Sequence, residues 1–165
     1  MKTLEQQMTI YAAYHRNRWN RLTHFAGVPA IIFAILIPLS WVRAGDITLA
    51  QVFLAAVLLY YLVLDVALAI AAAVFALTLL YAAQLAAASG VAAGWICFAA
   101  FFAGGWVLQL AGHVFEGRRP ALVDNLFQIF IAPIFLVAEG FFALGFKRDL
   151  LQKIEARLAQ GPSAK

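Results

Sequence analysis

Charged residues are scarce in this chain of 165 residues: they make up 12% of it, whereas hydrophobic residues make up 65%. Soluble domains carry about 25% charged residues, so this composition excludes an ordinary water-soluble protein. From Val66 to Phe115 there is no Asp, Glu, Lys or Arg in 50 consecutive residues. One membrane-spanning helix needs about 20 apolar residues, so this stretch must cross a membrane at least twice.

Cysteine is almost absent. Cys97 is the only one and lies in an apolar segment, which excludes a disulfide or a thiolate metal site within one chain. A long charge-free N-terminal stretch is lacking too, because the first apolar run begins after some twenty polar and aromatic residues. That run has the length of a full span, so we expect a retained anchor and not a cleaved signal peptide.

The apolar runs predict an all-α integral membrane protein, a helical bundle of about four transmembrane helices. A further apolar stretch, residues 126–138, is predicted as a re-entrant or fifth apolar helix, broken near Pro133. Amphipathic helices are expected at both termini. The predicted spans are 21–41, 48–62, 66–88 and 90–113. They belong to a bundle over residues 21–143, which is flanked by the terminal helices 1–18 and 146–160. The whole chain, 1–165, is predicted to form a single membrane domain.

Lys and Arg predict the orientation of this bundle. With four spans, the N-terminal segment, the loop after the fourth span and the C-terminal tail share one side, and they carry eleven of the twelve basic residues; only Arg43 lies opposite. Because cytoplasmic loops are enriched in Lys and Arg, the basic side is the cytoplasmic one. The net charge of +4 is thereby explained without a nucleic-acid partner.

Only three histidines occur, and each lies where an apolar segment meets a polar one. His15 and His24 flank the start of the first span and His113 ends the fourth, so the topology places all three at the cytoplasmic level. In one continuous helix His15 and His24 would point about 180° apart, because His24 lies nine positions after His15. We therefore predict a break between them, with Asn17 and Asn20 as turn and cap residues and Asn20 as the N-cap of the first span.

Two carboxylates and an amide accompany the histidines. Gln109, His113 and Glu116 share one helix face, and Gln109 is predicted to hydrogen-bond the second ring nitrogen of His113. Glu139 lies in the last apolar stretch, where an unpartnered carboxylate costs about 2.5 to 3.5 kcal/mol. A re-entrant path would return Glu139 to the level of the histidines.

Histidines with a carboxylate and open coordination positions are typical of non-haem Fe(II) oxygen chemistry. The predicted metal ligands are His15, His24, His113 and Glu116. Two other interpretations stay open: a haem electron carrier with two axial histidines, and a membrane-organising protein without enzymatic activity whose histidines are interfacial.

Three segments follow patterns of a known family. Residues 15–29 follow His-x4-Asn-x3-His-x2-Gly-x-Pro, residues 109–122 follow Gln-x2-Gly-His-x2-Glu-x3-Pro-Ala-Leu, and residues 133–139 follow Pro-x-Phe-x3-Glu. In this order they span most of the chain and resemble the Mpo-type 2-hydroxy fatty acid dioxygenases, which are small membrane proteins.

The resemblance implies an enzyme of Fe(II)- and O2-dependent α-oxidation, which shortens a 2-hydroxy long-chain fatty acid by one carbon and releases CO2. His15, His24 and His113 match the histidines expected to hold iron, and Glu116 and Glu139 match carboxylates of unassigned role. Asn20 and Gln109 also occupy motif positions, and with Glu116 and Glu139 they form the predicted catalytic set. The acyl chain is expected among the spans, with its carboxylate and 2-hydroxyl at the iron on the cytoplasmic side of a bacterial inner membrane, or of the endoplasmic reticulum in a eukaryote.

Overall fold

A computed structural model describes residues 2–117, 119 and 126–160 of the chain, without the side chain of Leu126. Nearly all of these residues are helical, and the two short strands form one antiparallel hairpin, in which Arg43 pairs with Thr48. The elements in chain order are α1 (Leu4–Ala13), α2 (Arg18–Trp41), β1 (Arg43–Ala44), β2 (Ile47–Thr48), α3 (Leu49–Leu64), α4 (Val66–Ala88), α5 (Val91–Glu116), a 3-10 helix (Leu126–Phe130), α6 (Ile131–Ala143) and α7 (Arg148–Ala159).

The predicted break between His15 and His24 is confirmed. Helix α1 ends at Ala13, and α2 begins after Asn17, whose side chain accepts a hydrogen bond from Trp19 N at 2.8 Å. The expectation that Asn20 caps this helix is wrong, because Asn17 satisfies the free N–H groups of the first turn. Asn20 lies inside α2 and is fully buried.

The predicted spans correspond to α2 to α5. Helices α2, α4 and α5 are long and apolar enough to cross a membrane, whereas α3 has 16 residues and extends about 24 Å, less than a hydrocarbon core of about 30 Å. Asp65 separates α3 from α4 and caps α4, since its Oδ1 accepts from Leu68 N at 3.0 Å. The chain is thus an all-α membrane bundle, as its composition predicts.

Helices α2 and α5 pack closely because glycines lie at their crossing. A Cβ on Gly27 would lie 2.9 Å from Gly105 O, and a Cβ on Gly105 would lie 3.0 Å from Gly27 O. Any side chain at these two positions would force the backbones apart. The glycines therefore set how closely the start of the first span approaches the end of the fourth.

The C-terminal segment bends sharply, but not where the sequence predicted. The apolar helix that ends at Ala143 and the amphipathic α7 lie at 112° to one another. The bend falls at Leu144 to Lys147, where Gly145 and Lys147 have φ of 81° and 53°. The predicted break near Pro133 is wrong, because Pro133 occupies the first turn of α6, where a missing N–H costs no helical hydrogen bond.

The two terminal helices pack against each other. Ile154 of α7 is buried in the same apolar cluster as Leu4 and Met8 of α1, and Arg157 forms an ion pair with Glu5. Helix α6 joins that cluster through Phe135. This packing holds α1 against α6 and α7.

Candidate metal centre

The three histidines lie together, although they belong to three different parts of the chain. His15 lies in the turn between α1 and α2, His24 in α2, and His113 in the last turn of α5. One ring nitrogen of each lies within 4.8 Å of the others, and the side chains are between 4% and 7% exposed. The sequence prediction that these residues converge is confirmed by this geometry.

Backbone carbonyls orient two of the rings. His15 Nδ1 donates to Tyr11 O at 2.7 Å, and His24 Nδ1 donates to Asn20 O at 2.8 Å. In a neutral imidazole this leaves a lone pair on each Nε2, and the two Nε2 atoms lie 3.1 Å apart. Two lone pairs at this distance repel one another unless a proton or a cation lies between them.

The electrostatics of His15 favour the neutral ring. Burial lowers its pKa to about 4, and the hydrogen bond to Tyr11 O opposes this only in part. A neutral imidazole with one nitrogen bound to a carbonyl is the usual form of a histidine metal ligand. Two nitrogens about 2.1 Å from one ion, in adjacent octahedral positions, lie roughly 3 Å apart, so the histidine pair suits a divalent transition metal.

Glu116 holds the α1–α2 turn against the end of α5. Its Oε1 accepts from Arg16 N at 3.0 Å, and its Oε2 accepts from Asn17 N at 2.8 Å and from Asn20 Nδ2 at 3.0 Å. Three hydrogen bonds therefore occupy the carboxylate that the sequence assigned to the metal. In the described part of the chain, the group of candidate ligand atoms consists of the three histidines.

The predicted hydrogen bond between Gln109 and His113 is absent. Gln109 Nε2 and His113 Nδ1 are both buried, and neither has a hydrogen-bond partner among the described residues. The amide of Gln109 instead extends towards α2, where a Cβ on Gly27 would lie 3.0 Å from Nε2. The close approach of the two helices at Gly27 makes room for the amide there.

Glu139 is bound by a cation of α2. Its Oε2 accepts from Arg21 Nη1 at 3.0 Å, with 19% of the glutamate side chain exposed. Since Arg21 lies one turn before His24, α6 does return Glu139 to the region of the histidines. Its partner, however, is a guanidinium and not a histidine.

Two contributors to the site were missed by sequence reasoning. Tyr11 stacks on His15, with ring centroids 4.0 Å apart, and supplies the carbonyl that orients it. Gly112 lies so close to Asn20 and Thr23 that no side chain fits at this position. For Tyr11, the available signal in the sequence was its position four residues before His15. For Gly112, the signal was the Gly-His pair of the second motif.

An apolar cavity of about 380 Å³ extends from the histidines into the bundle. This volume lies within the range of sites for small organic ligands. Along α2 the lining runs from His24 to Ile35, a rise of about 16 Å, which is roughly half the thickness of a bilayer's hydrocarbon core. Its described walls are mostly aliphatic and aromatic, and they contain no Lys or Arg.

Segments of the second motif lie partly outside the described residues. Gly117 ends α5 in the left-handed conformation, with φ of 66°, as the sequence predicted. Arg118 and the segment 120–125, which includes the Pro-Ala-Leu part of the pattern, are not described.

Comparisons with known proteins show the family to which the chain belongs. The family described as 2-hydroxy-palmitic acid dioxygenase Mpo1-like matches residues 1–143. The chain is 35% identical over 156 residues to the 2-hydroxy-palmitic acid dioxygenase MPO1 of Saccharomyces cerevisiae, an alignment that covers 92% of this chain and 87% of the yeast protein. No solved structure matches the chain. With its membrane bundle, its three clustered histidines and a match over most of its length, the chain belongs to the Mpo1-like family.

Proposed function

We propose that the protein is an Fe(II)-dependent dioxygenase of the membrane that converts a 2-hydroxy long-chain fatty acid to the acid one carbon shorter. The reaction consumes one O2 and yields CO2 and water. The acid supplies all four electrons that O2 accepts, as its hydroxyl-bearing carbon becomes a carboxyl and its old carboxyl leaves as CO2. No further reductant is required.

The observation that carries the proposal is the position of the histidine cluster at one end of the apolar cavity. Two Nε2 lone pairs 3.1 Å apart, with a third histidine beside them, provide the ligands for Fe(II). Bound Fe(II) would supply the electron transfer that makes the reaction of O2 with an organic acid spin-allowed. In this proposal His15, His24 and His113 hold the iron, and Glu116 and Asn20 position the turn that carries His15.

The cavity accounts for the substrate class. Its walls bind an aliphatic chain through the hydrophobic effect, at about 25 cal/mol for each Å² removed from water. The head group of a chain lying along α2 would then reach the histidines. The relative's name specifies a 2-hydroxy acid with a long chain, which agrees with this shape. The excess of basic residues at this end of the bundle supports a cytoplasmic position for the proposed active site.

The geometry argues against the haem alternative. Axial histidines of a haem bind from opposite faces, with the porphyrin between them. The Nε2 atoms of His15 and His24 face each other at 3.1 Å, which leaves no space for a porphyrin ring between these two residues. A Soret absorption band in the purified protein would contradict the proposal and favour the electron carrier.

The proposal is tested on detergent-purified protein reconstituted with Fe(II) without oxygen. We expect about one iron for each chain and, after addition of O2 and 2-hydroxypalmitic acid labelled with ¹³C in the carboxyl, ¹³CO2 and a C15 acid in equal amounts. His15→Gln, His24→Gln and His113→Gln should each lose most of the iron and the turnover. Tyr81→Phe, at an exposed position of α4, is the control. Full turnover in all three histidine variants would refute the proposal.

A further inference from the structure

The cavity offers few partners to a carboxylate. Its described lining has no cationic side chain, and the Nδ1–H groups of His15 and His24 are already bound to backbone carbonyls. A carboxylate buried without hydrogen bonds is costly, so an acid that enters this cavity needs neutral donors in addition to the metal.

Gln109 presents such a donor. Its side chain lines the cavity one helical turn before His113, is 8% exposed, and carries the buried, unpartnered Nε2. An amide N–H that is buried without a partner costs about 1 to 3 kcal/mol, so an acceptor brought by a ligand would recover that free energy. The metal does not meet this need, because Nε2 of an amide is a donor and has no lone pair to offer.

The position of this amide is set by the crossing of α2 and α5. Gly27 leaves space for it, since a Cβ there would lie 3.0 Å from Gln109 Nε2 and 3.2 Å from Leu108 Cβ. The amide is therefore confined between α2 and its own helix. A donor confined in this way loses little conformational entropy when it binds a ligand.

A second unpartnered amide atom in the cavity is a hydrogen-bond acceptor and not a donor. Gln128 of the 3-10 helix is 1% exposed; its Nε2 donates to Gln7 Oε1 at 3.2 Å, and its Oε1 has no partner among the described residues. An acceptor repels a carboxylate. Of the two glutamines, Gln109 is thus the one suited to an acid head group.

We infer that Gln109 Nε2 donates a hydrogen bond to the carboxylate of the fatty acid substrate. Gln109 is then a substrate-binding residue and not a residue that positions His113. A carboxylate has enough lone pairs to accept this bond and still bind a metal. The inference rests on the proposed function, because it takes a long-chain acid as the ligand, and it adds the group that distinguishes an acid from other aliphatic molecules.

The test measures binding to protein from which metal has been removed with a chelator, so that turnover plays no part. The change in tryptophan fluorescence, to which Trp106 of the cavity lining contributes, reports binding of palmitic acid and of hexadecanol, which has the same chain without a carboxylate. We expect Gln109→Leu to bind palmitic acid about 10- to 100-fold more weakly, as for the loss of a hydrogen bond to a charged group. Its affinity for hexadecanol should stay within about threefold of the wild type, which also shows that the cavity is intact.

Two further measurements separate the inference from its alternatives. Gln109→Leu should bind as much Fe(II) as the wild type, and Gln128→Leu should keep the preference for palmitic acid over hexadecanol. Loss of iron with unchanged binding of palmitic acid would show that Gln109 positions His113 and would overturn the inference. Equal weakening of both ligands would also overturn it, because it would indicate a packing effect. If the wild type binds palmitic acid through Gln109 but never turns over 2-hydroxypalmitic acid, the proposed function fails, and only the hydrogen bond from Gln109 to a long-chain carboxylate stands.

Discussion

Gly112 of α5 lies directly against the side chain of Asn20 of α2. A Cβ on Gly112 would collide with Asn20 Oδ1 and Thr23 Oγ1 and would lie 3.2 Å from His24 Nδ1. Asn20 in turn donates to Glu116, and its carbonyl accepts from His24. The absence of a side chain at position 112 therefore sets how the histidine of α2 and the histidine of α5 meet.

Gly112→Ala is expected to separate α2 from α5 at the metal centre. Overpacking of this kind costs about 1 to 3 kcal/mol, and the displaced Asn20 and His24 should reduce Fe(II) binding at least tenfold. Iron content and thermal unfolding in detergent measure the two effects. Gly104→Ala, on the same helix with open space around its Cα, is the matched control. Normal iron binding in Gly112→Ala would contradict the role given to this contact.

Glu116→Gln is expected to loosen the α1–α2 turn that carries His15. A neutral amide cannot accept hydrogen bonds on both of its terminal atoms, so one of the contacts to Arg16 N, Asn17 N or Asn20 Nδ2 is lost. Loss of support of this kind lowers metal affinity about 10- to 100-fold. Titration with Fe(II) under exclusion of oxygen measures the affinity, with Glu155→Gln on α7 as the control.

Asn20→Ala distinguishes the two roles that Glu116 can have. If Glu116 acts through the turn, Asn20→Ala and Glu116→Gln disturb the same contacts. The double variant should then lose clearly less Fe(II) binding free energy than the sum of the two single losses. Additive effects would indicate that Glu116 reaches the metal independently of Asn20.

Glu139→Gln is expected to leave the iron content unchanged. The carboxylate binds Arg21 on a partly exposed surface, where an ion pair contributes about 0 to 1 kcal/mol. Unfolding measurements should therefore show a destabilisation of this size, and Arg21→Met should add little to it in a double-variant cycle. Loss of iron in Glu139→Gln would contradict a role limited to this ion pair.

The ion pair between Asp65 and Lys147 predicts a dependence of stability on pH. Burial raises the pKa of Asp65, but the hydrogen bond from Lys147 Nζ at 2.6 Å, the bond from Leu68 N and the lysine charge outweigh it, so the pKa lies below its ordinary value. A folded-state pKa that is lowered contributes stability above the unfolded pKa, and this stability is lost as the pH falls below about 4, through the folded pKa.

Asp65→Asn isolates this contribution, since Asn caps α4 as well as Asp does. The variant should be less stable by about 1 kcal/mol at pH 7, and the difference should shrink as the pH falls below about 4 and the wild-type carboxyl takes up a proton. Denaturation in mixed micelles across this pH range measures it. Asp46→Asn, in the exposed turn between the strands, should follow the wild type.

The sequence predicts the membrane bundle well, and the reason is the solvent. Fifty residues without a charge fold only where hydrocarbon surrounds them, so the bounds of α4 and α5 follow from the positions of Asp65 and Gly117. The break before α2 can be predicted from the sequence as well, since His15 and His24 cannot share a site on one continuous helix. The convergence of the three histidines then follows from the count of spans.

Partners of individual polar side chains were less predictable. Gln109 lies on the same face as His113, and yet its amide turns to α2, because Gly27 provides space there. The carbonyls that orient His15 and His24 come instead from the residues four positions before them in the chain. The bend after α6 lies at Gly145 and Lys147, which have positive φ. Pro133 is the stronger helix-breaking signal in the sequence, but in the first turn of α6 it does not interrupt the helix.

The sequence by itself determined that this protein is a membrane bundle whose histidines meet at one end, because hydrophobicity and helix periodicity are properties of single segments. Only the tertiary structure decided that Glu116 binds the α1–α2 turn, that Glu139 binds Arg21, and that Gln109 presents a free donor to the cavity. A carboxylate or an amide takes whichever partner the packing of other helices brings within about 3 Å, and that distance is not encoded in any one helix.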